Sequence, residues 1–183
     1  MGLNLPRRKR KRLPARLRQA LLQPTAVNQT WSPDFMSDAL RDGRRFRTLN
    51  VLDDYNQEAL GIEIDYSLPA GRVIRLLQRL VDAYGKPAKL RCDNGPEYIS
   101  AVLSEWCESN GIDLHWIQPG KPTQNAYIER LNGSFQREVL NAYSFANLAQ
   151  VREIVDGWLD DYNTRRPHQA LCFLTQMEYK QAA

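Results

Sequence analysis

The sequence predicts a mixed α/β fold in which one sheet is covered by helices. Short apolar or alternating segments come first and then interleave with amphipathic segments at helical spacing, in the order β-β-β-α-β-α-β-α-α. The 183 residues, 43% of them hydrophobic and 25% charged, are enough to bury one core of ordinary domain size. No internal repeat divides the chain, so residues 1–28 read as a basic arm or linker and residues 29–183 as one core with a helical tail.

Each element has its own signal. The arm holds Arg7, Arg8, Lys9, Arg10, Lys11, Arg12, Arg16 and Arg18, no acid, and only Leu17, Leu21 and Leu22 as material for a short helix. It reads as a tail ordered on a partner. Trp31 to Leu40 is a first strand, followed by a turn at Arg41-Asp42-Gly43-Arg44 and a second strand from Phe46 to Asp53. Leu60-Gly61-Ile62-Glu63-Ile64 alternates strictly, as a half-exposed third strand does. Pro33 has no N–H for a ladder, so a strand start or a bulge is expected at that residue. Val73, Ile74, Leu77, Leu80, Val81 and Tyr84 set a helix over 70–84, stopped by Gly85 and Pro87. Lys89 to Asp93 is a short strand that breaks at Asn94-Gly95-Pro96. A second helix runs from Ser100 to Asn110, with Glu97 as a candidate cap and Gly111 as its stop. Asp113 to Gln118 alternates again, 119–123 is a Gly/Pro loop, and helices follow at 124–141 and 148–162.

Composition excludes several chemistries. Cys92, Cys107 and Cys172 are odd in number and lack a C-x-x-C pair, which argues against a disulfide framework or a cysteine zinc site and for reduced, mostly buried thiols. His115 and His168 are too far apart for a histidine metal motif, so any metal would be held by carboxylates. No run is long and apolar enough for a membrane span, and the basic start has no signal-peptide core, which points to a soluble, cytoplasmic protein with no membrane partner. The net charge of +4 splits into +8 on the arm and −4 on the body, an asymmetry that suggests a nucleic-acid partner.

Three acids stand out. On the helix over 124–141, Ile128, Leu131, Phe135 and Val139 form the buried stripe, and Glu129, Asn132 and Gln136 run beside it. Glu129 is thus at the rim of the core; taken by itself it reads better as a surface glutamate beside Arg130. Asp93 ends a strand, the usual address of functional groups in α/β folds, although Asp-Asn-Gly also makes ordinary turns. Asp34 lies within a strand, where a charge is costly unless paired or coordinated. Three carboxylates from two strands and a helix make the oxygen-rich set that Mg²⁺ or Mn²⁺ prefers.

Trp31-x-x-Asp34, Asp93-Asn94-Gly95-Pro96-Glu97 and Gly120-Lys121-Pro122-x-Gln124-Asn125-Ala126-x-Ile128-Glu129, with thirty-five residues between Asp93 and Glu129, resemble the DDE signature of bacterial insertion-sequence transposases. Leu131-Asn132-Gly133-Ser134-Phe135 and Asp161-Tyr162-Asn163-x-x-Arg166-Pro167-His168 extend the likeness over about residues 28–180. That family shares the retroviral-integrase catalytic core (rve), so the resemblance implies a ribonuclease-H-like mixed sheet of about five strands. It implies that Asp34, Asp93 and Glu129 are catalytic and bind two divalent ions, Mg²⁺ or Mn²⁺, which about 3.5–4 Å apart clamp the attacking and leaving oxygens of a phosphoryl displacement. Water would cleave a strand, and the freed 3′-hydroxyl would then join new DNA.

As DNA contacts the resemblance and the charge pattern suggest Lys121, Arg130, Asn132, Arg137, Arg166 and the arm residues Arg7, Arg8, Lys9, Arg10, Lys11 and Arg12. Each could equally be a solvated surface group, and Arg166 and His168 could instead dock the tail. Self-association into a homo-oligomer is expected by resemblance. Two departures are visible. Leu171-Cys172-Phe173-Leu174-Thr175-Gln176 stands where relatives commonly carry a Gly-Gly-Leu-Thr-Pro turn, and the chain begins within what resembles the linker after an upstream helix-turn-helix. A truncated transposase is therefore expected; the alternative is a silent remnant that binds DNA or full-length transposase as a regulator. A ribonuclease-H-type nuclease is a third reading, disfavoured by Gly120 to Glu129.

Overall fold

The computed structural model describes residues 24–93, 100–117 and 125–182. Five strands form one sheet in the order β3-β2-β1-β4-β5, with β1 at Thr30–Ala39, β2 at Arg45–Asp53, β3 at Ala59–Asp65, β4 at Lys89–Cys92 and β5 at Asp113–Trp116. The first three are an antiparallel meander, whereas β4 and β5 run parallel to β1. The parallel pairs need crossovers, which α1 (Ala70–Tyr84) and α2 (Ala101–Ser109) supply.

These two helices cover one face of the sheet. Val73, Leu76, Leu77 and Leu80 of α1 and Leu103 and Cys107 of α2 pack with Trp31, Leu49, Val51 and Leu90. Gly85, at φ +89°, stops α1, and its N–H bonds the Val81 carbonyl at 2.9 Å. Ser100 caps α2 by accepting from the Leu103 N–H at 3.2 Å, so the cap is Ser100. Glu97, the expected cap, lies outside the described residues.

The opposite face carries α3 (Ala126–Phe135) and α4 (Leu148–Thr164). The expected stripe of Ile128, Leu131, Phe135 and Val139 is fully buried. The helix expected over 124–141 is not uniformly α. Residues Gln136–Leu140 form a π-helical turn, which swings Glu138 toward α4, where it accepts from Trp158 Nε1 at 2.8 Å. Asn147 caps α4, accepting from the Gln150 N–H at 3.0 Å. A 3₁₀ turn at Gln169–Leu171 and a short α5 at Gln176–Ala182, both unforeseen, complete the tail.

Pro33 requires a correction. β1 neither starts nor bulges there: Pro33 pairs with Val51 in an unbroken register. The proline is tolerated because, among the described residues, β4 pairs with β1 only at Thr30 and Trp31, so no described ladder partner on that side asks residue 33 for an N–H. The bulge lies instead between β2 and β3, at Val51/Leu52.

Candidate active site

The splay between β1 and β4 creates the site. Their last registered pair is Trp31 with Leu90. Asp34 and Asp93 each lie three residues beyond it, so on parallel strands they are carried to the same level and the same face. Trp31 and Leu90 point into the core under α1 and α2. Alternation therefore turns the two aspartates toward the α3 side, at the point where the strand order reverses.

Asp34 is half-buried. Its Oδ1 accepts from the Phe35 N–H at 2.9 Å and its Oδ2 from Asn132 Nδ2 at 2.7 Å. Burial pushes its carboxyl up to about 6; the Phe35 and Asn132 hydrogen bonds oppose this, and the nearby charges of Asp93 and Glu129 add to it. The three acids thus share one field. Asp93 is half-buried and Glu129 is exposed on the first turn of α3.

These side chains fit a hard divalent cation in kind, being oxygen donors whose mutual repulsion a cation would relieve. Their spacing is more open than a closed cage. Among the described residues no three acidic, histidine or cysteine side chains stand close enough together to enclose an ion.

Asn132, expected at the site, is there, held between Asp34 and the buried Asn50 of β2. Arg130 and Arg137 are exposed. Arg130 acts on Tyr127 and Tyr162, and Arg137 donates to Ser134 Oγ at 3.3 Å. Lys121 and the arm residues Arg7, Arg8, Lys9, Arg10, Lys11 and Arg12 lie outside the described residues.

Arg166 and His168 belong to the docked tail. Arg166 is ion-paired with Glu138 and sits over the Tyr162 ring at 5.3 Å. His168 packs edge-on against Tyr162 at 5.0 Å and meets Gln176 through Nε2. Burial, helped by the Arg166 charge, lowers its pKa. Asn163 binds both backbone groups of Ala59, each at 2.9 Å, and so fastens α4 to β3. Tyr162, Asn163, Arg166 and His168 of this motif are therefore engaged in packing, while Thr164, Arg165 and Pro167 are exposed.

Sequence reasoning missed two buried groups beside the acids. One is Asn50. The other is the pair of Asp54, just past β2, with Arg91 of β4, whose side chains are 0% and 8% exposed. Thr48 and Asn50, which alternate onto the same strand face as the apolar Phe46 and Leu52, and the tandem Asp53-Asp54 were the available signals. The expected buried thiols are Cys92 and Cys107, and burial pushes both pKa values up; Cys172 is exposed.

Comparison with known proteins bears on the family and the fold. Two integrase core domain families match, over residues 24–122 and 110–175. An uncharacterized 31.7 kDa protein of insertion element IS407 from Burkholderia multivorans is 45% identical over 94% of this chain and 63% of its own length. A 39.2 kDa protein of insertion element IS476 from Xanthomonas euvesicatoria is 41% identical over 92% of this chain and 49% of its own. The chain thus spans about half to two thirds of these relatives. In fold it resembles the HTLV-2 integrase catalytic core domain solved in complex with magnesium, with TM-score 0.69 and 17% identity, covering 85% of this chain and 98% of that one. The matches place the five-stranded sheet in the ribonuclease-H-like class, and the chain belongs to the integrase core family and is similar to proteins of bacterial insertion elements.

Proposed function

We propose that this chain is the catalytic core of a DDE transposase that cleaves DNA strands and joins them to new DNA with divalent metal. The observation that carries the reading is the placement of Asp34 and Asp93 at one level of two splayed parallel strands, with the charge of Glu129 reaching Asp34 from α3. Asp34, Asp93 and Glu129 would hold two ions, Mg²⁺ or Mn²⁺. Such a pair supplies Lewis acidity to both the attacking and the leaving oxygen of a phosphoryl displacement. The protein's own part is to hold three carboxylates on one face, with Asp34 fixed by Phe35 and Asn132. No histidine is needed as a base, consistent with the burial of His168 in the tail.

DNA is the proposed partner, bound by the basic arm and by exposed cations of α3 and the π turn that follows it, with Arg130 and Arg137 as candidates. Self-association and a cytoplasmic location belong to the same proposal. Among the described residues no helix is long and apolar enough to cross a membrane.

The test is incubation of the purified chain with Mg²⁺ and a duplex carrying the terminal repeats that flank its gene. Nicking by the wild type and background levels in Asp93→Asn are expected. Equal activity of the two would overturn the assignment, and DNA binding without nicking would transfer it to a regulatory protein.

A further inference from the structure

We infer that Asn50 is a positioning residue that sets the orientation of Asp34 through the amide of Asn132. The chemical consequence rests on the function proposed above; the geometry does not.

Asn50 lies directly across from Asp34 in the β1–β2 register, and its neighbours Leu49, Val51 and Leu52 are fully buried, as it is. Its Nδ2 donates to Asn132 Oδ1 at 2.7 Å and reaches Met36 Sδ at 3.3 Å. Asn132 Nδ2 in turn donates to Asp34 Oδ2 at 2.7 Å. The direction of this chain is forced. An ionised carboxylate only accepts, so Asn132 must turn its NH₂ to Asp34 and its carbonyl to Asn50, which must answer with its own NH₂.

Asn50 is costly where it stands. Its Oδ1 is buried and has no hydrogen-bond partner among the described residues, a penalty that an apolar residue of the same size would avoid. Its benefit goes to the site. A flipped Asn132 would present a carbonyl to Asp34, and Asn50 makes that flip cost a second hydrogen bond. With Asn132 locked, each Asp34 oxygen keeps one donor, Phe35 N–H on Oδ1 and Asn132 on Oδ2, and has a further lone pair for another ligand.

The experiment compares the intact wild-type chain with Asn50→Leu, which ends the relay, and Asn50→Asp, which accepts where Asn50 donates. Side-chain amide NMR, assigned with Asn132→Ala, reads the relay without metal or DNA. Hydrogen exchange at the Asn132 NH₂ is expected to accelerate about tenfold in Asn50→Leu, the worth of one hydrogen bond. In strand cleavage with Mn²⁺, kcat should fall about tenfold with KM for DNA unchanged, and Asn50→Leu should add nothing in an Asn132→Ala background. Wild-type exchange at Asn132 in Asn50→Leu overturns the inference, as does a full additional loss in the Asn132→Ala background. If Asn50→Asp does not fold, Asn50→Leu decides. If the wild type does not cleave, the proposed function fails while the exchange measurement still decides the role of Asn50.

Discussion

Cys172 and Phe173 have φ of 57° and 63°, a backbone region that side chains with a Cβ rarely adopt. They occupy the two positions at which the Gly-Gly of the resembling family would fall, and the structure shows why glycine suits them. The turn is tight: the N–H groups of Leu171 and Phe173 both bond the His168 carbonyl at 2.9 Å, and His168 pairs back with Leu174. Phe173 is 70% exposed and Cys172 is also exposed, so neither gains a buried contact in return. Cys172→Gly and Phe173→Gly are therefore expected to stabilise the chain by about 1 kcal/mol each, read as a higher midpoint in thermal melts. Asn28, at φ 61°, needs no such remedy, because asparagine tolerates this region and its side chain is used: Nδ2 donates to the Tyr84 carbonyl and Oδ1 accepts from Trp31 Nε1.

Among the elements, β4 does the most with the fewest residues. In Lys89–Cys92, Leu90 and Cys92 enter the core under α1 and α2, while Arg91 turns to the α3 side and pairs with Asp54. Burial pushes the Asp54 carboxyl up from 3.8 to about 6 against the opposing Arg91 charge. The folded state then binds the proton more tightly than the unfolded chain. The contribution of Asp54 to stability is complete below pH 3.8 and is lost as pH rises to about 6. Urea unfolding should show stability falling over this window, with a shallower fall in Asp54→Asn; Asp34 acts in the same sense, so the slope persists in part. Arg91→Met, which leaves Asp54 buried without its cation, should cost about 3 kcal/mol. Because Asp93 directly follows β4, two residues beyond Arg91, the pair also braces the segment that delivers Asp93. α3 is braced similarly from its far end. Its π turn gives Glu138 to Arg166 and Trp158, and Phe135, Trp158, Tyr162 and His168 stack in succession at 5.0–5.2 Å.

For the molecule as a whole, charge is divided between an arm of +8 and a body of −4. If the arm grips phosphates without reading bases, its affinity should be steeply salt-dependent. A variant lacking residues 1–23 should bind DNA with a smaller slope of log K against log salt, reduced by up to about 7 units if all eight arm cations engage phosphate. Gel-shift titrations at several salt concentrations measure this, and an unchanged slope would remove the arm from the DNA interface. Most of the architecture was legible in the sequence. Periodicity is a local property, and it gave the strands, the α1 span of 70–84 and the buried stripe of α3; the motif spacing then singled out Asp34, Asp93 and Glu129. Tertiary structure alone decided the rest, because it depends on which distant segments become neighbours. The splay of β1 from β4 sets the two aspartates at one level and excuses Pro33; the β1–β2 register puts Asn50 opposite Asp34; and the Glu138 contact ties Arg166, after α4, to the π turn that follows α3. Residue types fix which elements form and which face is buried, whereas register and long-range hydrogen bonds fix which polar groups meet, and no one-dimensional pattern encodes that.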